Sequence, residues 1–232
     1  MVYQFPDKLL NTLLPSRCLI CRQPSRQRLA LCAQCQAKLP FNNLSCRICA
    51  QPLATAGLVC GDCQLHTPYY DLTIAPLAYR DDVRQLIIEL KFQGRLRNAK
   101  LLAELFLKAL KPGERPHCLI PIPLHPKRIR ERGYNQSLEI ARQLAAVTGI
   151  RMDPYSTRRR RYTDRQADLG LKEKRNNVRG AFEVIQEDLP EHVAIVDDVM
   201  TSGHTVNELA RVLKKSGVKN ISVWAMARAG HA

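Results

Sequence analysis

Four Cys-x-x-Cys pairs, Cys18/Cys21, Cys32/Cys35, Cys46/Cys49 and Cys60/Cys63, restrict what the first part of this chain can become. Each pair turns two thiolates to one side of a tight bend, and two such bends make a tetrahedral four-sulfur site. Softness and geometry favour Zn²⁺, with an iron–sulfur cluster as the lesser alternative. Successive pairs begin fourteen residues apart, so the segment is an internal repeat. Two sequential ribbons are the natural assignment, the first two pairs on one ion and the last two on another. A cross-braced arrangement, first pair with third and second with fourth, stays open at this point. Fully ligated sites leave no place for water and act structurally, replacing a core too small to form alone. Cys118, in the apolar run CLIPIP, is expected as a buried small residue, and the lone Trp224 as core.

The second constraint is the stretch Val193 to Thr205, VAIVDDVMTSGHT. Four apolar, mostly β-branched residues run into Asp197 and Asp198, then a small-residue turn. Val206, Leu209, Ala210 and Leu213 follow at helical spacing. This reads as a buried parallel strand and its crossover helix. Chemistry in such sheets gathers at the carboxyl ends of strands. Small hydroxyl residues around Gly203, opening a helix, can aim N–H groups and hydroxyls at an anion. Two carboxylates cannot bind that anion. They suit vicinal hydroxyls, with or without hydrated Mg²⁺. An anion subsite beside a diol subsite describes a ribose 5-phosphate; a solvated Asp pair before a capped helix is the plainer alternative.

VAIVDDVMTSGHT resembles the 5-phosphoribosyl-1-pyrophosphate (PRPP) signature of the type I phosphoribosyltransferases. The resemblance implies that Asp197 and Asp198 hold the ribose hydroxyls. It also implies that Thr201, Ser202, Gly203, His204 and Thr205 wrap the 5-phosphate.

Between these two regions the pattern is that of an α/β chain. Tyr70 to Tyr79 reads as a strand that breaks at Arg80-Asp81. Val83, Leu86, Ile87 and Leu90 form one helical stripe, and Lys91 follows it directly, facing either a phosphate or solvent. A second helix runs through Leu101, Leu102, Leu105 and Ala109 to Pro112-Gly113. CLIPIP reads as a short strand, PLHPKRIRERGY as a basic loop, and Leu138, Ala141, Leu144 and Ala145 as the inward face of a helix. In a parallel sheet that loop lies near the aspartates, where a cationic surface suits a pyrophosphate. His125, Lys127, Arg128, Arg130 and Arg132 cannot all reach it; Lys127 and Arg128 are the choices. The long polar segment RRRRYTDRQADLGLKEKRNNVRGAF reads as a functional or disordered loop, and the resemblance to the phosphoribosyltransferases implies one that closes over PRPP and excludes water. Arg161, Thr163, Gln166 and Arg175 are expected to reach in, with Arg175 joining Asp197 and Asp198 as the catalytic set.

The whole succession resembles the ComF/GntX family: four CxxC pairs, YRDDVRQLIIELKFQG, PIPLHPKRIRERGYNQS, YTDRQADLGLKEKRNNVRGAF, then the PRPP signature. The resemblance implies an N-terminal double zinc ribbon, residues 1–68, fused to a parallel-sheet type I phosphoribosyltransferase-like domain, residues 69–232. It also implies an association with natural competence for DNA uptake.

Charge bears on partners. The chain has 36 Lys and Arg against 21 Asp and Glu, a formal net charge of +15. From His125 to Arg179 there are fifteen Lys and Arg against six Asp and Glu, a net of nine positives. Such a face suits a polyanion, single-stranded DNA or the polyphosphate of PRPP. Interleaved aromatics for base stacking are few: Tyr134, Tyr155, Tyr162 and Phe182. No secretory signal or membrane-spanning run is visible, so a cytoplasmic protein is expected, and in that reducing compartment the cysteines serve as metal ligands rather than disulfides. Three functions compete: ribose 5-phosphate transfer from PRPP to an unknown acceptor, a DNA-handling protein with PRPP as regulatory ligand, and a nucleotide-linked regulator without a nucleic acid partner. The favoured reading is a PRPP-binding phosphoribosyltransferase-like protein acting in DNA uptake, with PRPP, single-stranded DNA and DNA-uptake proteins as expected partners.

Overall fold

A parallel sheet carries the larger part of the chain. The computed structural model describes residues 16–162 and 178–230, apart from residues 26, 56, 57, 112, 114 and 187. Among these, the antiparallel pair β1 (Ser16–Arg17) and β2 (Pro24–Ser25) precedes two single-turn helices, α1 (Ala33–Ala37) and α2 (Gly61–Leu65). Strands β3 (Leu72–Ile74) and β4 (Leu77–Ala78) lead to α3 (Asp81–Phe92) and α4 (Arg97–Leu107). Then come β5 (Cys118–Pro121), α5 (Pro126–Arg132), α6 (Gln136–Thr148), β6 (Arg151–Met152), β7 (Thr157–Arg159) and β8 (Phe182–Val184). The chain closes with β9 (His192–Met200), α7 (His204–Lys215) and β10 (Asn220–Arg228).

The sheet order is β3-β10-β9-β5-β6, with β4 also paired to β10, and every pairing in it is parallel. Each central strand buries both faces, as continuous apolar runs require. Ala194, Val196, Leu119, Trp224 and Met226 point into one core with α3, α4 and α6. Val193, Ile195, Ile120, Ile221 and Val223 point into the other with α7. Trp224 is fully buried and packs on Phe106 with ring centroids 5.1 Å apart. The α/β reading of the sequence therefore holds, with a zinc-ribbon-like region ahead of the sheet.

The ribbons share these cores. Cys18, Leu29, Leu31 and Leu39 belong to the first; Cys46, Cys49, Ala50 and Cys63 belong to the second. Phe41 bridges Leu77 in antiparallel fashion, and the Asn42 amide donates to the carbonyls of Ala50 (2.9 Å) and Ala75 (3.0 Å). This segment covers the β3–β4 edge, where open main-chain groups would otherwise invite another strand.

Several local expectations need correction. Tyr70–Tyr79 forms two short strands, because Ala75-Pro76 interrupts the ladder. The basic loop is a helix, α5, started by Pro126 at its first turn with His125 as N-cap and stopped by Gly133 at φ 87°. Thr157–Arg159 is strand rather than loop: it pairs antiparallel with β8, and Arg160 reaches Glu183 at 3.0 Å. The inward face of α6 includes Gln136 and Ser137 beside Ile140, Ala141 and Leu144, whereas Leu138 is only partly buried. Cys118 and Trp224 are buried as expected.

Candidate functional site

The eight paired cysteines gather in sequence order, Cys18, Cys21, Cys32 and Cys35 in one group and Cys46, Cys49, Cys60 and Cys63 in the other. The cross-braced alternative is thereby excluded. Within each group all sulfurs lie within 4.8 Å of one another. Cys21–Cys32 and Cys49–Cys60 stand 3.7 and 3.6 Å apart, near the ~3.8 Å edge of a tetrahedron with Zn–S bonds of ~2.3 Å. Main-chain N–H groups of Cys35 and Cys60 donate to the sulfurs of Cys32 (3.5 Å) and Cys46 (3.3 Å). Both groups fit structural Zn²⁺, four thiolates each.

The second site follows from sheet order. From β5 the chain moves through α6 to β6 on one side; from β9 it moves through α7 to β10 on the other. The strand order thus reverses between β5 and β9, and a crevice opens at their carboxyl ends. A cavity of about 230 Å³ lies there, lined by Tyr79, Lys91, Asp197 to Thr201, Gly203, Thr205 and Val206.

Three elements fix the acidic pair. Asp198 is 2% exposed and meets the Lys91 ammonium at 2.6 Å, delivered by the last turn of α3. Asp197 accepts from the Ser137 hydroxyl (3.1 Å) and from the Asp198 main-chain N–H (2.9 Å). The Gln136 amide lies 3.5 Å from the other Asp198 oxygen. Asn135 organises this helix start: its side chain accepts from the Ser137 N–H (3.0 Å) and donates to the Ile122 carbonyl (2.9 Å), tying α6 to the end of β5. Burial, and then the neighbouring Asp198 charge, push the Asp197 carboxyl well above the usual range, with Lys91 opposing. Burial alone would depress the Lys91 ammonium, but the Asp198 carboxylate outweighs it and raises it. Two adjacent acidic side chains line the cavity, with the Lys91 cation paired to Asp198, and offer oxygen acceptors to hydroxyl donors.

The turn after β9 has the other character. Gly203 sits at φ 77°, and a Cβ there would come 2.9 Å from the Met200 methyl and 3.4 Å from the Tyr70 hydroxyl. Only glycine closes the turn without strain. It opens α7, twelve residues long and without a side-chain cap at that position; first-turn N–H groups lack helical acceptors and carry the positive end of the dipole. The Ser202 hydroxyl oxygen is buried with no hydrogen-bond partner among the described residues. Such an orphan beside a helix start suits an anion that accepts from it.

The remaining expected residues are placed differently. Lys127 and Arg128 do not line the cavity. Their cationic heads lie 4.7 and 5.2 Å from the centre of the Tyr162 ring, and His125 meets the same ring edge-on at 5.4 Å. Arg161 donates to the Arg179 carbonyl at 2.9 Å across the two ends of the intervening segment. Thr163, Gln166 and Arg175 lie outside the described residues. Arg159 is a further cation of this region, 5.3 Å from the Phe182 ring, depressed by burial and by Arg128 while Asp197 opposes. The sequence reading missed Gln136, Ser137, Tyr79, Tyr70 and Arg228. The available signals were a helix-start Asn-Gln-Ser directly after a strand exit, and a lone arginine ending the apolar run of β10.

Fold and site together define a double zinc-ribbon protein whose parallel α/β sheet presents an acidic cleft at its switch point. Residues 9–64 match the family described as a double zinc ribbon domain. The chain is 36% identical over 160 residues to "Competence protein F" of Haemophilus influenzae, covering 65% of this chain and 70% of that protein. It is 30% identical over 217 residues to "DNA utilization protein YhgH" of Salmonella typhimurium, covering 91% and 89%. A third relative, "Competence protein ComFC" of Streptococcus pneumoniae, is 23% identical over 155 residues, covering 66% and 67%. The chain belongs to the ComF family. No helix among the described residues is long and apolar enough to cross a membrane.

Proposed function

We propose that the cleft binds PRPP with Mg²⁺ and that the protein serves DNA uptake or utilisation, in a reducing cytoplasm that keeps its thiols available to zinc. One observation carries the ligand: an acidic pair, Asp198 buried and Asp197 half-buried, lines the same cavity as a glycine-opened helix start. Asp197 and Asp198 accept from the ribose 2- and 3-hydroxyls. Thr201, Ser202, Gly203, His204 and Thr205 receive the 5-phosphate through hydroxyls and N–H groups. Lys91 holds Asp198 in its acceptor orientation and supplies positive charge to the cavity. Arg159 adds a cation near Asp197 at the pyrophosphate end, while Lys127 and Arg128, which do not line the cavity, contribute longer-range positive potential. Bound Mg²⁺ would neutralise pyrophosphate charge and so ease its departure.

Transfer, if coupled to this binding, breaks the bond from ribose C1 to the pyrophosphate oxygen and forms one from C1 to the acceptor. A non-catalytic reading is favoured by a separate observation: Lys127 and Arg128 stack on Tyr162 at the surface, an arrangement suited to a phosphate backbone and a base. In that reading PRPP is a regulatory ligand of a single-stranded-DNA-handling protein, with DNA-uptake proteins as partners. The relatives named for competence and DNA utilisation support the cellular role.

Calorimetry with PRPP and Mg²⁺ tests the binding. The double variant Asp197→Asn with Asp198→Asn is expected to lose affinity at least a hundredfold; unchanged affinity overturns the reading. Pyrophosphate release across a panel of bases and single-stranded DNA separates transfer from binding alone.

A further inference from the structure

Arg228 ends β10 and is 2% exposed. Its guanidinium donates from Nε to the Cys49 carbonyl at 2.8 Å, and from one terminal nitrogen to the Met200 carbonyl at 3.0 Å and to the Thr201 carbonyl. Cys49 belongs to the second zinc group, while Met200 and Thr201 begin the turn that Gly203 closes. One rigid fork therefore spans a metal knuckle and the proposed phosphate turn. The Met200 carbonyl also accepts from the Ala229 N–H at 3.0 Å, which fixes the fork's own strand to the same point.

A second link is independent of the first. Tyr70 is buried in the core that contains Cys46, Cys49 and Cys63, and its hydroxyl lies 3.4 Å from where a Gly203 Cβ would stand. Lysine could not reproduce the first link, since a point charge cannot hold carbonyls on two separate segments in fixed directions. In the zinc group formed by Cys18, Cys21, Cys32 and Cys35, Cys18 packs instead into the opposite core, with α3, α4 and α6.

We propose that the second zinc site and the Thr201–Thr205 turn form one mechanical unit joined by Arg228 and Tyr70, so that ligand on the turn and metal on Cys46, Cys49, Cys60 and Cys63 retain each other. Arg228 is a positioning residue: it touches neither metal nor ligand and sets the turn whose amides meet the phosphate. The inference rests on the cleft binding PRPP. Linkage makes the effect reciprocal, so it can be read from the metal side without any turnover assay.

The experiment follows zinc release from the full chain to a zinc-selective chelator, with and without saturating PRPP and Mg²⁺. Two phases of one ion each are expected, with PRPP slowing one at least fivefold and leaving the other unchanged. Arg228→Met should keep two zinc ions per chain yet lose the PRPP effect, with PRPP affinity reduced at least tenfold; Arg228→Lys should recover only part of it. Equal slowing of both phases, or of neither, in a parent protein that binds PRPP overturns the coupling alone. A parent protein that fails to bind PRPP overturns the proposed function with it. The parent measurement stands even where a variant fails to fold.

Discussion

Replacing Lys91 by methionine removes the cation that neutralises Asp198 while keeping the side chain's length and apolar stem. The ion pair is short, 2.6 Å, with the Asp198 side chain 3% exposed and that of Lys91 21% exposed. Breaking a buried pair by removing one member costs about 3–5 kcal/mol, because the remaining charge is left uncompensated. Partial exposure of Lys91 lets water soften the loss, so about 3 kcal/mol is expected. For a chain of this size each kcal/mol corresponds to about 2–4 °C, giving a fall in Tm of about 6–12 °C. The loss should depend on pH with a definite sign. In the parent, the raised Lys91 contributes stability that is complete below the ordinary lysine pKa and disappears only as pH rises through its higher folded value. In the variant, Asp197, already raised in the parent by burial and the Asp198 charge, loses the Lys91 charge that opposes that shift and rises further. Carboxyls of that kind stabilise at low pH and cease to as pH rises. Thermal melts of parent and variant should therefore diverge most near neutrality and converge as pH falls. A variant melting within about 2 °C of the parent at neutral pH, or a deficit unchanged by acid, would refute this account of the pair.

Gly203→Ala is expected to reduce PRPP affinity more than tenfold while lowering Tm by only a few degrees. The φ of 77° costs an L-residue about 1–2 kcal/mol and the new methyl meets the Met200 side chain. Ser137→Ala removes the hydroxyl that holds Asp197, about 1 kcal/mol, and should weaken PRPP binding roughly fivefold by calorimetry; no change would remove Ser137 from the site. Because Asp197 is raised in the free protein, and hydroxyl donors need its ionised form, affinity should climb as pH rises through that raised value. Asp197→Asn, titrated in the same buffers, should lack this component; an identical slope in both would assign it to the ligand. Elemental analysis should find two zinc ions per chain, and chelation should abolish the cooperative melt, since Cys18 and Cys46 are each buried in one of the two cores.

Much of this was legible because it rests on short-range chemistry. Cysteine spacing identifies four knuckles whatever follows, and the apolar run before Asp197 can only be a strand buried on both faces. Sequential pairing of the knuckles was the natural reading of the sequence, but spacing also permits a cross-braced arrangement, and only the grouping of the sulfurs decides between them. The helical state of Pro126–Arg132 was hidden by its charge, although Pro126 and Gly133 are ordinary start and stop signals. Lys91 was located but its partner was not, because the contact joins helix and strand across more than a hundred residues. Ser137 and Arg228 act through partners 60 and 179 residues away, Asp197 and Cys49, and nothing local announces either bond.

A crystal structure of the protein with PRPP and Mg²⁺ examines the ligand reading at atomic level. The expected result is the 5-phosphate within hydrogen-bonding distance of the main-chain N–H groups at Gly203–Thr205 and the two ribose hydroxyls on Asp197 and Asp198. Clear density for PRPP elsewhere on the protein, or an empty cleft at a ligand concentration that saturates calorimetry, would contradict it.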